Sequence, residues 1–479
     1  MEEDSMSKCA VAILIVLGLV LLATGCTVPP KGGFDFVEQN AQERIGMRVL
    51  WNQGGDEDKA VSEAITSLLQ HPLTADDAVQ VALLNNRRLQ ATYEDLGITQ
   101  AALVQAGLLK NPRFSGNYMP AVEAGPVATA GLELAQDFAD LLFIGMRKGI
   151  ASSEFEASKA RVASAVLDKA AETRVAFLEY QAAEQFLEMR KLSADAAAAS
   201  FEVSQKLFDA GNITKLASAS ERASLSQAKL DLANAQAAIL SLRERLNSLM
   251  GLWGPQATDW RSAGRLPDLP KDELDVKNIE RQAIKKSLDL SKARAKADAA
   301  AGRAGLIRWT TVLSDFDVGV GVNRDDNASW HVGPVFSLQI PIFDQGQAKN
   351  AAAVAELRRT LQEYAAEAVE LRSAARAARD RLVAARERAA YCRDVLLPVR
   401  NEVLHESQLQ YNAMQIGVFQ LLSSRHDVID AGIQYVEELR DYWIARANVE
   451  LILAGRNKSA SQELSGSSSS RSSSERKEH

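Results

Sequence analysis

The sequence predicts a mainly helical chain with a small β part: two similar halves, each with long helices and two β-strands. Three observations predict it. Hydrophobic residues make up 47% of the chain but aromatic residues only 6%, and alanine is heavily used. That composition favours long helices. Similar segments recur in the same order in both halves, and each helical run is broken by a short stretch of strict alternation.

The N-terminus comes first. Residues 10–23, AVAILIVLGLVLLA, are too short a run for a comfortable membrane span and lead into small residues and a cysteine. This reads as a secretory signal, residues 1–25. Ala23-Thr24-Gly25-Cys26 resembles a bacterial lipobox, with Ala23 where leucine is commoner. Glu2, Glu3 and Asp4 make an acidic start, and Met6 ahead of Lys8 reads as a better one than Met1. Cys26 is therefore the expected lipidation site, carrying covalent lipid (palmitate), and it opens an acylated extension over 26–72. Thr27, in place of an aspartate, favours the outer membrane. No cofactor other than this covalent lipid is expected.

The first repeat spans 73–251. Thr74 and Asp77 have the spacing of a capping box, and the helix they open is expected to continue to Asn111-Pro112. Strands are expected at about 113–138, and long helices over 146–207 and 213–250. A proline-rich linker or packed belt covers 252–272. The second repeat, 273–455, has strands at about 312–341 and long helices over 345–410 and 418–454. At 1.5 Å per residue, a helix of about 60 residues reaches roughly 90 Å. Such helices must pack lengthwise, as a coiled coil or a helical tube. The serine-rich tail, 456–479, cannot build a core and is expected to be disordered.

The alternating segments carry most of the functional information. Phe316, Val318, Val320 and Val322 alternate with Asp317, Gly319, Gly321 and Asn323; Val332, Pro334, Phe336, Leu338 and Ile340 then share one face. The first half repeats this more weakly through Phe114, Gly116 and Tyr118, then Ala128, Ala130, Leu132 and Leu134. Each hairpin thus has one apolar face and one small or polar face. Phe316, Val318, Val320, Val322, Phe336, Leu338 and Ile340 are the expected lipid-facing set. Trp309 and Trp330 fall near strand ends, where aromatic girdles occur. Strands of 8–11 residues match an outer membrane. Four strands cannot close a barrel, and open edges are not tolerated in lipid. The chain must oligomerise or pair its edges in some other way; three copies would supply twelve strands.

Other function classes find little support. The net charge of −7 comes with no clustered basic face, which argues against nucleic acid. The five histidines, His71, His331, His405, His426 and His479, include no pair at metal-ligand spacing. No phosphate-cradling loop and no Gly-x-Ser-x-Gly occur, so no enzyme and no metal site are expected. Cys392 stands alone in a helix and reads as a small buried hydrophobe. Glu363, Glu367 and Glu370 read as a solvated or tunnel-lining face, and Met414 and His426 as packing and surface residues.

The segments LTADDAVQVALLNN, QAGLLKNPRFSG, LLFIGMRK, GPVFSLQIPIFDQGQAKNAAAV and YNAMQIGVFQLLSSRHDVIDA, in this order and duplicated, resemble the TolC-type outer-membrane efflux factors. The resemblance implies a homotrimer with a transmembrane barrel of twelve strands and a periplasmic helical tunnel. It also implies a periplasmic adaptor and an inner-membrane pump as partners, with passive conduction of cargo. The adaptor-contacting tips would be Gly211, Asn212 and Ile213, and Met414, Gln415, Ile416 and Gly417. Met414 stands where glycine is expected, with Gly417 three residues on, so a reshaped second turn is expected. Where some relatives carry an acidic ring, this chain has Ser423, with Asp427 one turn beyond. Closure is expected to rest on polar contacts and on Arg425 or Asp427. The rival reading is a non-conducting outer-membrane lipoprotein with a structural coiled coil. Among metal ions, drugs and secreted polypeptides as cargo, the lean is towards metal or small toxic compounds.

Overall fold

The computed structural model describes residues 28–120, 128–312, 316–324, 329–338 and 342–457. Cys26, Ile340 and the serine-rich tail beyond 457 lie outside them. Helices α1 (Phe34–Ile45) and α2 (Asp56–Leu69) precede the first repeat. That repeat runs α3 (Ala75–Asn85), α4 (Arg87–Ala106), β1 (Arg113–Met119), β2 (Thr129–Asp137), α5 (Phe138–Asp209) and α6 (Lys215–Met250). A short helix, α7 (Pro255–Asp259), follows. The second repeat runs α8 (Ile279–Lys286), α9 (Leu288–Val312), β3 (Phe316–Arg324), β4 (Trp330–Leu338) and α10 (Gln347–Tyr391). A π-helical turn, Cys392–Leu396, then leads into α11 (Leu397–Asn412) and α12 (Val418–Leu453). α6 and α12 are both 36 residues long. The 72 residues of α5 correspond to about 108 Å of helix.

Two expectations need correction. The helix opened by Thr74 does begin with a capping box: Thr74 N donates to Asp77 Oδ2 at 3.0 Å and Asp77 N to Thr74 Oγ1 at 3.2 Å. It does not continue to residue 110, because Asn86 turns extended (ψ 112°) and splits it into α3 and α4. Asn86 satisfies both ends of the break. Its Nδ2 donates to Leu249 O (2.8 Å), and its Oδ1 accepts from Leu89 N (3.0 Å) as a cap for α4. Nor is the run over 345–410 one unbroken α-helix. Pro398 has no N–H to give the carbonyl of Asp394, and the backbone widens into the π turn just before it.

The chain divides into two compact units. One contains the described residues up to Phe36, with Tyr93–Val162 and Leu290–Ala366. Its centre is a single antiparallel sheet in the order β1-β2-β3-β4. Arg303 of α9 is paired with Glu154 of α5. Near the chain start, Phe34 meets Tyr93 edge-on at 5.1 Å between ring centres. No helix among the described residues is long and apolar enough to cross a membrane.

The second unit holds Val37–Thr92, Ala163–Asp289 and the residues from Glu367 on. Its core gathers Leu73, Phe177, Leu246, Met250 and Trp260, all essentially inaccessible. Each such side chain contributes about 1.5–3 kcal/mol through burial. Trp260 donates from Nε1 to Asn247 Oδ1 at 2.8 Å, and the Arg243 guanidinium lies 4.4 Å from its ring centre. The segment after α7 is stitched to the start of the first repeat: Leu73 N donates to Arg261 O (2.8 Å) and Ala263 N to Leu73 O (2.7 Å). Gly251 caps α6 with φ +69°, where a Cβ would come 2.9 Å from Asn85 O, so only glycine fits.

Candidate functional site

The sheet has two chemically distinct faces, and its register defines both. Across the four strands, Phe114 sits beside Leu134, Leu134 beside Val320, and Val320 beside Pro334. The neighbouring row is Gly116, Leu132, Val322 and Val332. Towards the other end come Val318 beside Phe336, then Phe316 beside Leu338. The expected lipid-facing residues, Ile340 aside, therefore fall on one face. Phe336 (77% exposed), Phe114 (71%) and Val332 (71%) are open to the surroundings. A soluble protein hides such a surface.

The opposite face is small and polar: Ser115, Glu133, Gly321 and Gly333 form one row, and Asn117, Gly131, Asn323 and His331 another. Arg113 and Asp317 form an ion pair there. Gly319 is required by close approach, since a Cβ would press on Leu134 O and come 2.9 Å from Ala135 Cα. β1 and β4 each lack a partner strand on their outer side among the described residues.

The helical tips form in the second unit. After α5, Gly211 adopts φ +76°; its N–H donates to Phe208 O (2.8 Å), and that of Asn212 to Leu207 O (2.8 Å). This is a Schellman-type ending. Ile213 follows, and Thr214 caps α6 by accepting from Ala217 N at 3.2 Å. The second tip is built the same way, which corrects the expectation of a reshaped turn. Met414 adopts φ +57° and donates to Tyr411 O (2.9 Å), while Gln415 N donates to Gln410 O (2.9 Å). Gly417 takes the place of Thr214 as the extended residue before α12, at φ −80°, and has no side chain to cap with. Ile416 corresponds to Ile213. Met414 is 92% exposed.

The proposed gate residues are not brought together. Asp427 pairs with Arg400 of α11 at 3.0 Å. Arg425 is exposed and has no carboxylate at ion-pair distance among the described residues. Ser423 lines a recess with Glu221, Asp231, His426 and Asp430. His426 and Asp430 approach within 3.5 Å across one helical turn. Among the described residues no group of three or more His, Cys, Asp or Glu could hold a metal ion.

Sequence reasoning missed the charged junctions of the second unit. Glu273 accepts from Tyr442 Oη (2.9 Å) and pairs with Arg386 (3.2 Å) and Arg446 (3.3 Å). Burial raises the Tyr442 hydroxyl pKa, and the Glu273 charge adds to it, against the opposing effect of Arg446. Arg456 binds Asp168 Oδ1 (2.8 Å) and Asp289 Oδ1 (2.6 Å), holding the end of α12. Burial works against the Arg456 charge, but the two aspartates outweigh it and its pKa rises. No sequence motif marks such long-range pairs.

Comparison with known proteins agrees with this geometry. Residues 78–252 match the outer membrane efflux protein family. The cobalt-zinc-cadmium resistance protein CzcC of Cupriavidus metallidurans is 23% identical over 384 residues, 80% of this chain and 90% of that one. The CmeC outer membrane channel of Campylobacter jejuni is similar in structure, with a TM-score of 0.65 at 16% identity, covering 83% of this chain and 89% of that chain. VceC of Vibrio cholerae gives 0.63 at 16% identity, covering 83% and 97%. By its matched segment, its duplicated helical layout and its four-stranded sheet, the chain is similar to the TolC-type outer-membrane efflux proteins and shares their fold.

Proposed function

We propose that three copies of this chain form the outer-membrane duct of a tripartite exporter, conducting cargo passively from a periplasmic adaptor and inner-membrane pump to the exterior. The observation that carries this reading is the sheet: its exposed face is apolar, and among the described residues both of its edge strands are open. Unpaired strand edges in hydrocarbon cost several kcal/mol per group. Joining β4 of one copy to β1 of the next removes them and closes a barrel of twelve strands. The polar face, with Arg113 and Asp317, then lines the lumen. Adaptor contact falls to the tips at Gly211, Asn212 and Ile213 and at Met414, Gln415, Ile416 and Gly417. Lipid on Cys26 adds a second hold on the membrane.

For cargo, the resistance function in the name of the Cupriavidus relative supports divalent metal ions, taken up as substrate rather than as a resident group. Selectivity would come from pore width and lining charge. The test is direct. Detergent-solubilised protein should have the mass of a trimer and give stepwise conductance in planar bilayers; a monomer without conductance sinks the reading. Cys26→Ala behind an ordinary cleavable signal should still trimerise, and complete loss of trimer would make the lipid an assembly factor.

A further inference from the structure

One charge interrupts the apolar face of the sheet. Among the described residues of that face, running from Phe114 on β1 to Trp330 on β4, Arg324 alone is charged. It lies in the last row before the hairpin loops: Tyr118 sits beside Ala130, Ala130 beside Arg324, and Arg324 beside Trp330. Tyr118 and Trp330 are 69% and 58% exposed. The guanidinium of Arg324 lies 5.8 Å from the centre of the Trp330 ring, and its Nε is shielded with no hydrogen-bond acceptor. On the other face of the sheet, Arg113 is neutralised by Asp317. Arg324 has no such carboxylate among the described residues.

Depth gives this row its meaning. Both hairpins leave and rejoin helices at one end, α4 and α5 for the first and α9 and α10 for the second. The loops therefore lie at the opposite end of the strands from the helices that flank them. If the sheet crosses the outer membrane, as proposed above, the Arg324 row faces the outer leaflet at headgroup level. An arginine is tolerated there far better than at the midplane. The anions at that level are lipid phosphates, which match the guanidinium fork. Trp330 holds the cation by its ring face and sits where tryptophan prefers to lie.

We propose that Arg324, held against Trp330 at the loop end of the apolar face, binds the phosphate of an outer-leaflet glycolipid of the lipid A type. Three copies would place three such notches around the barrel. The inference rests on the membrane-crossing reading of the sheet.

The test uses the full-length trimer. Wild type, Arg324→Gln and Arg324→Lys are titrated with diphosphoryl lipid A and with dephosphorylated lipid A, and bound lipid is read by native mass spectrometry. Insertion into liposomes is followed in parallel. Wild type should prefer the phosphorylated form, and Arg324→Gln should bind it about fivefold more weakly, the factor for ~1 kcal/mol per basic side chain near an anionic surface. Arg324→Lys, a point charge without a fork, should fall between. Equal binding of lipid A by inserted wild type and Arg324→Gln overturns this proposal alone, as does equal binding of the two lipids by wild type. Failure of wild type to insert overturns the channel reading, and this proposal with it.

Discussion

Met414 holds, 203 residues further along the chain, the left-handed backbone position held by Gly211: φ is +57° at one and +76° at the other, with equivalent hydrogen bonds on either side. The repeat has kept the turn and lost the residue best suited to it. A side chain in this conformation costs roughly 1–2 kcal/mol, because Cβ crowds the following carbonyl.

Met414→Gly should therefore stabilise the second tip. The relief is partly offset by the greater freedom of glycine in the unfolded chain, about 0.4–1 kcal/mol, which leaves a net gain of about 0.5–1 kcal/mol. Gly211→Met should destabilise the first tip by a similar amount. Chemical unfolding of both variants measures this, and opposite signs are expected.

Asn86→Ala should cost about 1–3 kcal/mol, since it removes the cap of α4 and strands the carbonyl of Leu249 in a buried site. The same unfolding assay reads it out. Asn86→Asp should recover the cap to Leu89 N but not the bond to Leu249 O.

Gly319→Val should abolish trimer formation on size-exclusion with light scattering, because its Cβ meets backbone on β2 that cannot yield. Gly333→Val is the control. Nothing lies within 4 Å of a Cβ at Gly333, so the trimer should persist.

Cys392 is a free, buried thiol whose pKa is raised, first by burial and then by Glu438, against the opposing Arg388. A raised pKa favours the protonated thiol in the fold. Its contribution is fully present below the unfolded thiol pKa and is lost as pH rises through the folded one. At pH 8, Cys392 should react slowly with Ellman's reagent in native protein and rapidly in denaturant, with Cys392→Ser assigning the signal. Unfolding stability should fall on the alkaline side of the ordinary thiol range, and less so in Cys392→Ser.

Gate function is tested by conductance. Asp427 ties α12 to Arg400 of α11, and Ser407 and Ser424 share a 2.9 Å hydrogen bond between the same helices. If this closure limits the mouth, Asp427→Ala should raise single-channel conductance or open probability, and Arg425→Ala should do so only if Arg425 meets another copy. Unchanged conductance in both would remove these residues from the gate.

The faces of the sheet were legible in the sequence because alternation is local: Phe316 to Val322 and Val332 to Leu338 declare their side before any partner is known. The capping box at Thr74 was legible for the same reason. The break at Asn86 was not, since an Asn-Asn pair in a helical pattern carries no instruction without the carbonyl of Leu249 to bind. The reshaped turn expected at Met414 overweighted the residue and underweighted the two packed helices that impose the turn. Pro398 was visible, but its consequence was not: the sequence announces a missing N–H without saying whether the helix ends, kinks or widens.

By itself, then, the sequence determined the helical runs and the alternating hairpins, which depend on residues within a few positions of one another, and the order in which they recur in both halves. Only the tertiary structure decided which strands meet: Ala130 beside Arg324, joining the two repeats into one sheet. It also decided that Arg113 is matched by Asp317 while Arg324 lies against a tryptophan and, among the described residues, meets no carboxylate. The Ala130–Arg324 and Arg113–Asp317 pairings link residues about 200 positions apart. Their register follows from how β2 and β3 fit against each other at Gly319, where backbone meets backbone and no local pattern can show it.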